Sequence, residues 1–167
     1  MKATTLETAL IAHAPDAIIF ADRAGVIRLW NPGAEALFGH SAADALGYTL
    51  DLIVPESMRA AHWVGFHRAI QHGRFTKDDA LQTSRALTKD GRTIVVELSA
   101  AIIRDHTGDV VGIMAIGRDV TARRAQEQAQ CERIASLERQ VAALTQGIPR
   151  AGADDAAPSG RSMKPRP

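Results

Sequence analysis

Along the first third of the chain the apolar positions switch between a helical and an extended period. Leu6, Leu10 and Ile11 recur at helical spacing within Thr4–His13, with Thr4 or Thr5 as cap, and predict a short amphipathic helix that Pro15-Asp16 interrupts. The compact run Ala17–Ala21 predicts a buried strand. Asp22–Gly25 predicts a turn, in which Gly25 supplies positive φ, and Val26–Trp30 predicts the second strand of a hairpin. Asn31-Pro32 reads as an N-cap followed by a proline in the first helical turn, and that helix ends at Gly39. Ser41 and Asp44 form a capping box for another short helix that ends at Gly47.

Leu81–Thr88, Thr93–Ile103 and Val110–Val120 predict three more strands. Turns at Lys89–Arg92 and Asp105–Gly108 join them, and Phe75–Asp79 reads as a loop. Five strands around a block of short helices, with tight turns between neighbours, predict an α+β domain carrying its helices on one face of an antiparallel sheet. From Thr121 the pattern turns helical. Ile134, Leu137, Val141 and Leu144 repeat at spacings of three, four and three, as a coiled-coil seam does. Residues 147–167 hold four prolines and little that is apolar, and predict disorder. The expected division is a cap helix over 1–14, a core domain over 15–121, a signalling helix over 122–146 and a tail over 147–167.

The longest pattern before that helix is Val54–Gly73. Pro55 suits its start and Gly73 its end. At about 100° per residue, Gly65, Met58, Ala69, His62, Gly73, Phe66, Ile70 and Trp63 fall in that order across one apolar arc. Ala60, His67, Gln71, Val64 and Arg68 fall opposite. His62 lies near the middle of the arc, and two glycines and an alanine beside it leave room for something bulky. Two readings stand: a histidine that ligates a metal, and a core histidine bonded to a backbone carbonyl.

A hydrophobic share of 46% in 167 residues supports one core. A net charge of +1 without a basic run argues against a nucleic-acid surface. Cys131 is the one cysteine, so neither a disulfide framework nor a cysteine zinc site is available. Its two readings are an inert thiol and a redox cross-link between chains. Glu7 and His13 interrupt any leader-like apolar run, and no apolar run reaches membrane-spanning length. The expectation is a cytoplasmic protein without membrane association. Phosphate loops, nucleophile elbows and zinc helices are absent from the sequence, so an enzyme is not expected.

The segment APDAIIFADRAGVIRLWNPGAEALFGHSAADALG, followed by the long helix, KDGRTIVVELSAAII and IGRDVT, resembles a PAS sensor domain over Thr4 to Thr121. Within that family, Pro55-Glu56, Arg59 and His62 resemble the helix that carries the proximal heme ligand in rhizobial-type oxygen-sensing kinases. The resemblance implies heme b with His62 as the axial iron ligand. It implies a pocket built from Met58, His62, Phe66, Ala69 and Ile70 of the helix and from sheet residues such as Ile94, Val96, Leu98, Ile113 and Met114. An ungapped count puts Gln82, rather than an arginine, at the distal position, with Arg85 close by. Asp119 and Thr121 fall at the family's junction between sheet and output helix, where the resemblance implies that Asp119 is a hydrogen-bond and ion-pair anchor, with Arg118 or Arg123 as its partner.

These features imply a stand-alone sensory module responding to a diatomic gas (O2, CO or NO) or to redox state. It would act as a homodimer on a histidine kinase or regulator. Light-sensing flavin relatives need a cysteine in the helical block, which has none here. Non-covalent FAD or FMN beside Trp30 or Trp63 is the second reading, and a ligand-free interaction domain the third.

Overall fold

The side chain of Asn31 organises the amino-terminal half. Its Oδ1 accepts from Ala34 N at 2.9 Å and so caps α2 (Pro32–Phe38), and it also accepts from Ile18 N at 2.7 Å. Its Nδ2 donates to Asp16 O at 3.0 Å and to Ile11 O at 3.2 Å, which ties down the end of α1 (Leu6–His13). The computed structural model describes residues 5–75 and 81–146; the expected tail and most of the expected loop after Phe75 lie outside them.

Strands β1 (Ala17–Asp22) and β2 (Ile27–Trp30) form the predicted hairpin. After α2 come α3 (Ala42–Ala45), which carries the predicted Ser41–Asp44 capping box, and one 3-10 turn (Leu50–Leu52). The long helix α4 spans Glu56–His72. Pro55 sits at its N-cap, one position earlier than a proline at the first helical residue, and Gly73 closes it with φ 61°. Strands β3 (Leu81–Leu87), β4 (Thr93–Arg104) and β5 (Val110–Asp119) complete an antiparallel sheet in the order β2-β1-β5-β4-β3. The last helix, α5, spans Thr121–Gln146.

Pairing fixes which side chains share a face. Ala21, Ile113 and Ile102 align across β1, β5 and β4, as do Ile19, Ala115 and Ala100. Val96 and Ile94 lie on the same face of β4 and pair with Ser84 and Ala86 of β3. Two apolar clusters form on this face. One holds Phe38, Ile27, Trp30, Ile94 and Val96; the other holds Ala21, Phe66, Ala69 and Ile113. The predicted α+β architecture is therefore present, with β1 and β5 adjacent although nearly ninety residues of sequence separate them.

The chain divides into two units, residues 1–127 and 128–167. Within the second, Ile134, Leu137, Val141 and Leu144 are all exposed on α5, at 49–74% of their full surface.

Candidate functional site: a cavity between helix α4 and the sheet

Helix α4 stands over the sheet without closing on it. A cavity of about 380 Å³ remains between the two apolar clusters, a size typical of small-molecule sites. Ile19, Ala21, Ala100, Ile113 and Ala115 form part of its sheet wall. Met58, Ala61, His62, Gly65, Phe66 and Arg68 line it from α4. Gln82, Ser84 and Arg85 border it along the edge strand β3.

His62 is the chemical feature of this cavity. Its Nε2 is buried and has no hydrogen-bond partner among the described residues. An unpaired buried polar atom costs about 1–3 kcal/mol. A core histidine that meets a backbone carbonyl through this nitrogen is therefore not what His62 presents among the described residues. Burial holds the imidazole pKa below its usual value; Asp51 opposes that shift and His67 adds to it. The ring is thus neutral at pH 7, the form in which imidazole ligates a metal.

Three contacts hold α4 in place. Arg59 donates to Val54 O at 3.2 Å and Asp51 O at 3.0 Å, fixing the first turn to the 3-10 turn. Trp63 donates to Asp51 Oδ1 at 2.9 Å, and its ring lies where a Cβ at Gly25 would collide. At the far end Arg104 bridges Gly73 O and Gly108 O, each at 2.8 Å, joining the helix cap to the β4–β5 turn. Arg59 carries the sequence motif. Arg104 has no local signal, because its partner is 31 residues away.

The residues expected at the site divide. Met58, His62, Phe66, Gln82, Leu98 and Ile113 all border the cavity, as do Val96 and Arg85. Ala69 packs into the second apolar cluster, with Ile70 against it, and neither lines the cavity. Ile94 is buried in the first cluster. Met114 faces away: its neighbours Ile113 and Ala115 line the cavity, and successive strand residues point to opposite faces.

Of the small residues expected to make room beside His62, only Gly65 does so. Gly73 is the helix cap under Arg104, and Ala69 is core. Arg68, placed by the wheel on the polar side, borders the cavity; its guanidinium has no partner among the described residues. Neither tryptophan lines the cavity. Trp30 packs against Phe38 at 5.3 Å and donates to His40 O, and Trp63 sits on Gly25. Of the remaining histidines, His67 stacks on Trp63 on the exposed side and His72 bonds Arg68 O. No group of three or more metal-ligating side chains occurs among the described residues.

The junction also departs from expectation. Asp119 Oδ1 accepts from Thr121 N at 2.7 Å and caps α5, while Arg118 pairs with Asp16 and Arg123 with Glu97. Thr121 Oγ1 accepts from Val95 N at 2.8 Å, and Val120 N donates to Val95 O at 2.8 Å. The start of α5 is therefore fastened to strand β4 by main-chain and hydroxyl bonds, and Asp119 is the expected hydrogen-bond anchor at its first residue but pairs with neither arginine among the described residues.

Residues 11–125 match the family model described as PAS fold, and the chain belongs to that family. The histidine-protein kinase AtoS of Escherichia coli is 30% identical over 137 residues, covering 80% of this chain and 21% of that protein. The sensor protein FixL of Bradyrhizobium diazoefficiens is 31% identical over 87 residues, covering 51% of this chain and 17% of FixL. Among solved structures, an RNA-binding Light-Oxygen-Voltage receptor superposes with a TM-score of 0.62 at 27% identity, covering 78% of this chain and 36% of the other. The chain thus spans about a fifth of these curated relatives. The domain is a sensory module of the kind that signal-transduction proteins carry. No described helix is long and apolar enough to cross a membrane.

Proposed function

We propose that this PAS domain holds heme b in the α4 cavity through His62 Nε2 and senses a diatomic gas or redox state. The observation that carries the reading is the buried, partnerless Nε2 in a cavity walled mainly by carbon. Arg68 at the rim suits a carboxylate-bearing ligand. The resemblance of the Pro55–His62 helix to that of rhizobial-type oxygen sensors, and the match to FixL, agree with it. When bound, heme would supply an iron able to bind a small gas. His62 would hold the metal, and Phe66, Leu98 and Ile113 would exclude water, with Gln82 bordering the cavity at the β3 edge. Flavin fits less well, because no tryptophan or cysteine lines the cavity. The test is the absorption spectrum of the protein after incubation with hemin and removal of the excess. A Soret band with an imidazole-ligated pattern is expected, and a bare protein spectrum overturns the reading.

The output runs through α5 to a second copy and then to a histidine kinase or regulator. Its exposed Ile134, Leu137, Val141 and Leu144 form the seam, with Leu6 and Leu10 of α1 as a second exposed apolar pair. Truncation after Thr121 is expected to weaken self-association. Equal molar masses of truncated and full chains in light scattering at matched concentration would show that the seam does not pair.

Asp119 and Thr121 couple the sheet to that helix. Hemin loading is expected to change hydrogen exchange over 121–127, by a coupling of about 1–3 kcal/mol. Asp119→Ala should leave hemin uptake within several-fold and shrink that change. Identical exchange in loaded and heme-free wild type rules the route out.

A further inference from the structure

The part of α4 that faces the cavity is not centred on His62. With His62 at zero and about 100° per residue, Arg68 and Ala61 fall near −120° and −100°, Met58 near −40° and Phe66 near +40°. All of them line the cavity, in an arc whose middle falls near −40°, with Met58 on it and Gly65 beside it near −60°. Gly65 lines the cavity too, and a Cβ built there meets nothing within 4 Å. The glycine relieves no local crowding and adopts no positive φ. It lies inside a seventeen-residue helix, where glycine is less favourable than alanine. Its one structural consequence is a bare stretch of helix backbone on the cavity wall, beside the middle of that arc. On the sheet wall the small Ala21, Ala100 and Ala115 stand among the larger Ile19, Ile113, Val96 and Leu98. His62, Gly65 and Arg68 follow one another at i, i+3 and i+6, so imidazole, bare backbone and guanidinium lie along one ridge of the helix.

We infer that Gly65 is the specificity-determining residue of the cavity. It admits a flat, rigid ring system lying against the α4 backbone, and any side chain at this position excludes that body while leaving His62 untouched. The inference rests on the heme reading and names what shapes the site for it. Gly65 makes no contact that the fold needs, so filling it affects stability and binding with opposite sign. Replacement by a good helix former stabilises the heme-free protein and weakens uptake of the ring. A glycine kept only for local folding cannot give that split.

The experiment compares wild type, Gly65→Ala and Gly65→Leu in the full chain. It reads two quantities: the thermal midpoint without heme, and hemin affinity by titration of the Soret band. Both variants are expected to unfold at or above the wild-type midpoint. Hemin affinity should fall on the order of tenfold for Gly65→Ala and a hundredfold for Gly65→Leu, the range expected from overfilling a packed site. If Gly65→Leu does not fold, Gly65→Ala alone decides. A folded variant that binds hemin with wild-type affinity and spectrum overturns the role of Gly65 and leaves the heme reading standing. A wild-type chain that takes up no hemin overturns both.

Discussion

His62→Ala is expected to strip the domain of most bound heme while leaving the fold in place. Among the described residues no other imidazole lines the cavity, Met58 offers only a softer thioether there, and His67, five residues on, is stacked on Trp63 at the exposed side. Losing an outer-shell partner of a metal ligand costs roughly 10–100-fold in affinity, and losing the ligand itself should cost more. The heme-free protein should tolerate the change, because Nε2 contributes no hydrogen bond to the fold. Added imidazole should restore part of the Soret band in His62→Ala, by occupying the space the side chain leaves. His67→Ala should retain heme like wild type. Equal uptake and unchanged spectra in His62→Ala and His67→Ala would remove His62 from the iron.

Asn31→Ala should have the largest effect on folding, about 3 kcal/mol in a urea unfolding experiment. The side chain is 3% exposed and serves α1, β1 and α2 together. Loss of the cap alone costs about 0.5–2 kcal/mol. Unpaired buried groups at Ile18 N and Asp16 O add to it at about 1–3 kcal/mol for each left dry. Asn31→Asp separates the roles. It keeps the cap on Ala34 N and sets a carboxylate against the carbonyls of Ile11 and Asp16, so it should loosen α1 more than α2. A loss under about 0.5 kcal/mol for Asn31→Ala, the size of an ordinary surface change, would mean that water replaces these bonds.

Much of this architecture is legible because it is local. The turns at Gly25, Gly39, Gly73 and Gly108 all take positive φ where the sequence places chain reversals. The Ser41–Asp44 box forms from residues three apart, and α4 begins and ends within two residues of its expected bounds. His62 stands out because a titratable ring on an apolar arc is costly wherever the helix packs.

The face of a strand is not local in the same way. Val110–Gly117 is apolar on both faces, so alternation gives the period but not the phase, and Met114 and Ile113 are equivalent until β1 and β4 pair with β5. The wheel of α4 fails differently. It separates apolar from polar residues, whereas a cavity is bounded by whatever surrounds a void. Arg68 therefore falls on its rim, while Ala69, near −20° and so on the same arc, lies two turns beyond His62 and packs into the second apolar cluster. The sequence by itself determined the turns, the caps, the helix carrying His62 and the family. The fold settles that His62 Nε2 has no partner among the described residues, that Arg104 fastens Gly73 to a turn far along the chain, and that a Cβ at Gly65 would meet open space on the cavity wall. Each of those depends on atoms brought together by pairing distant strands, and a hydrogen bond or a void between distant segments leaves no period in the chain.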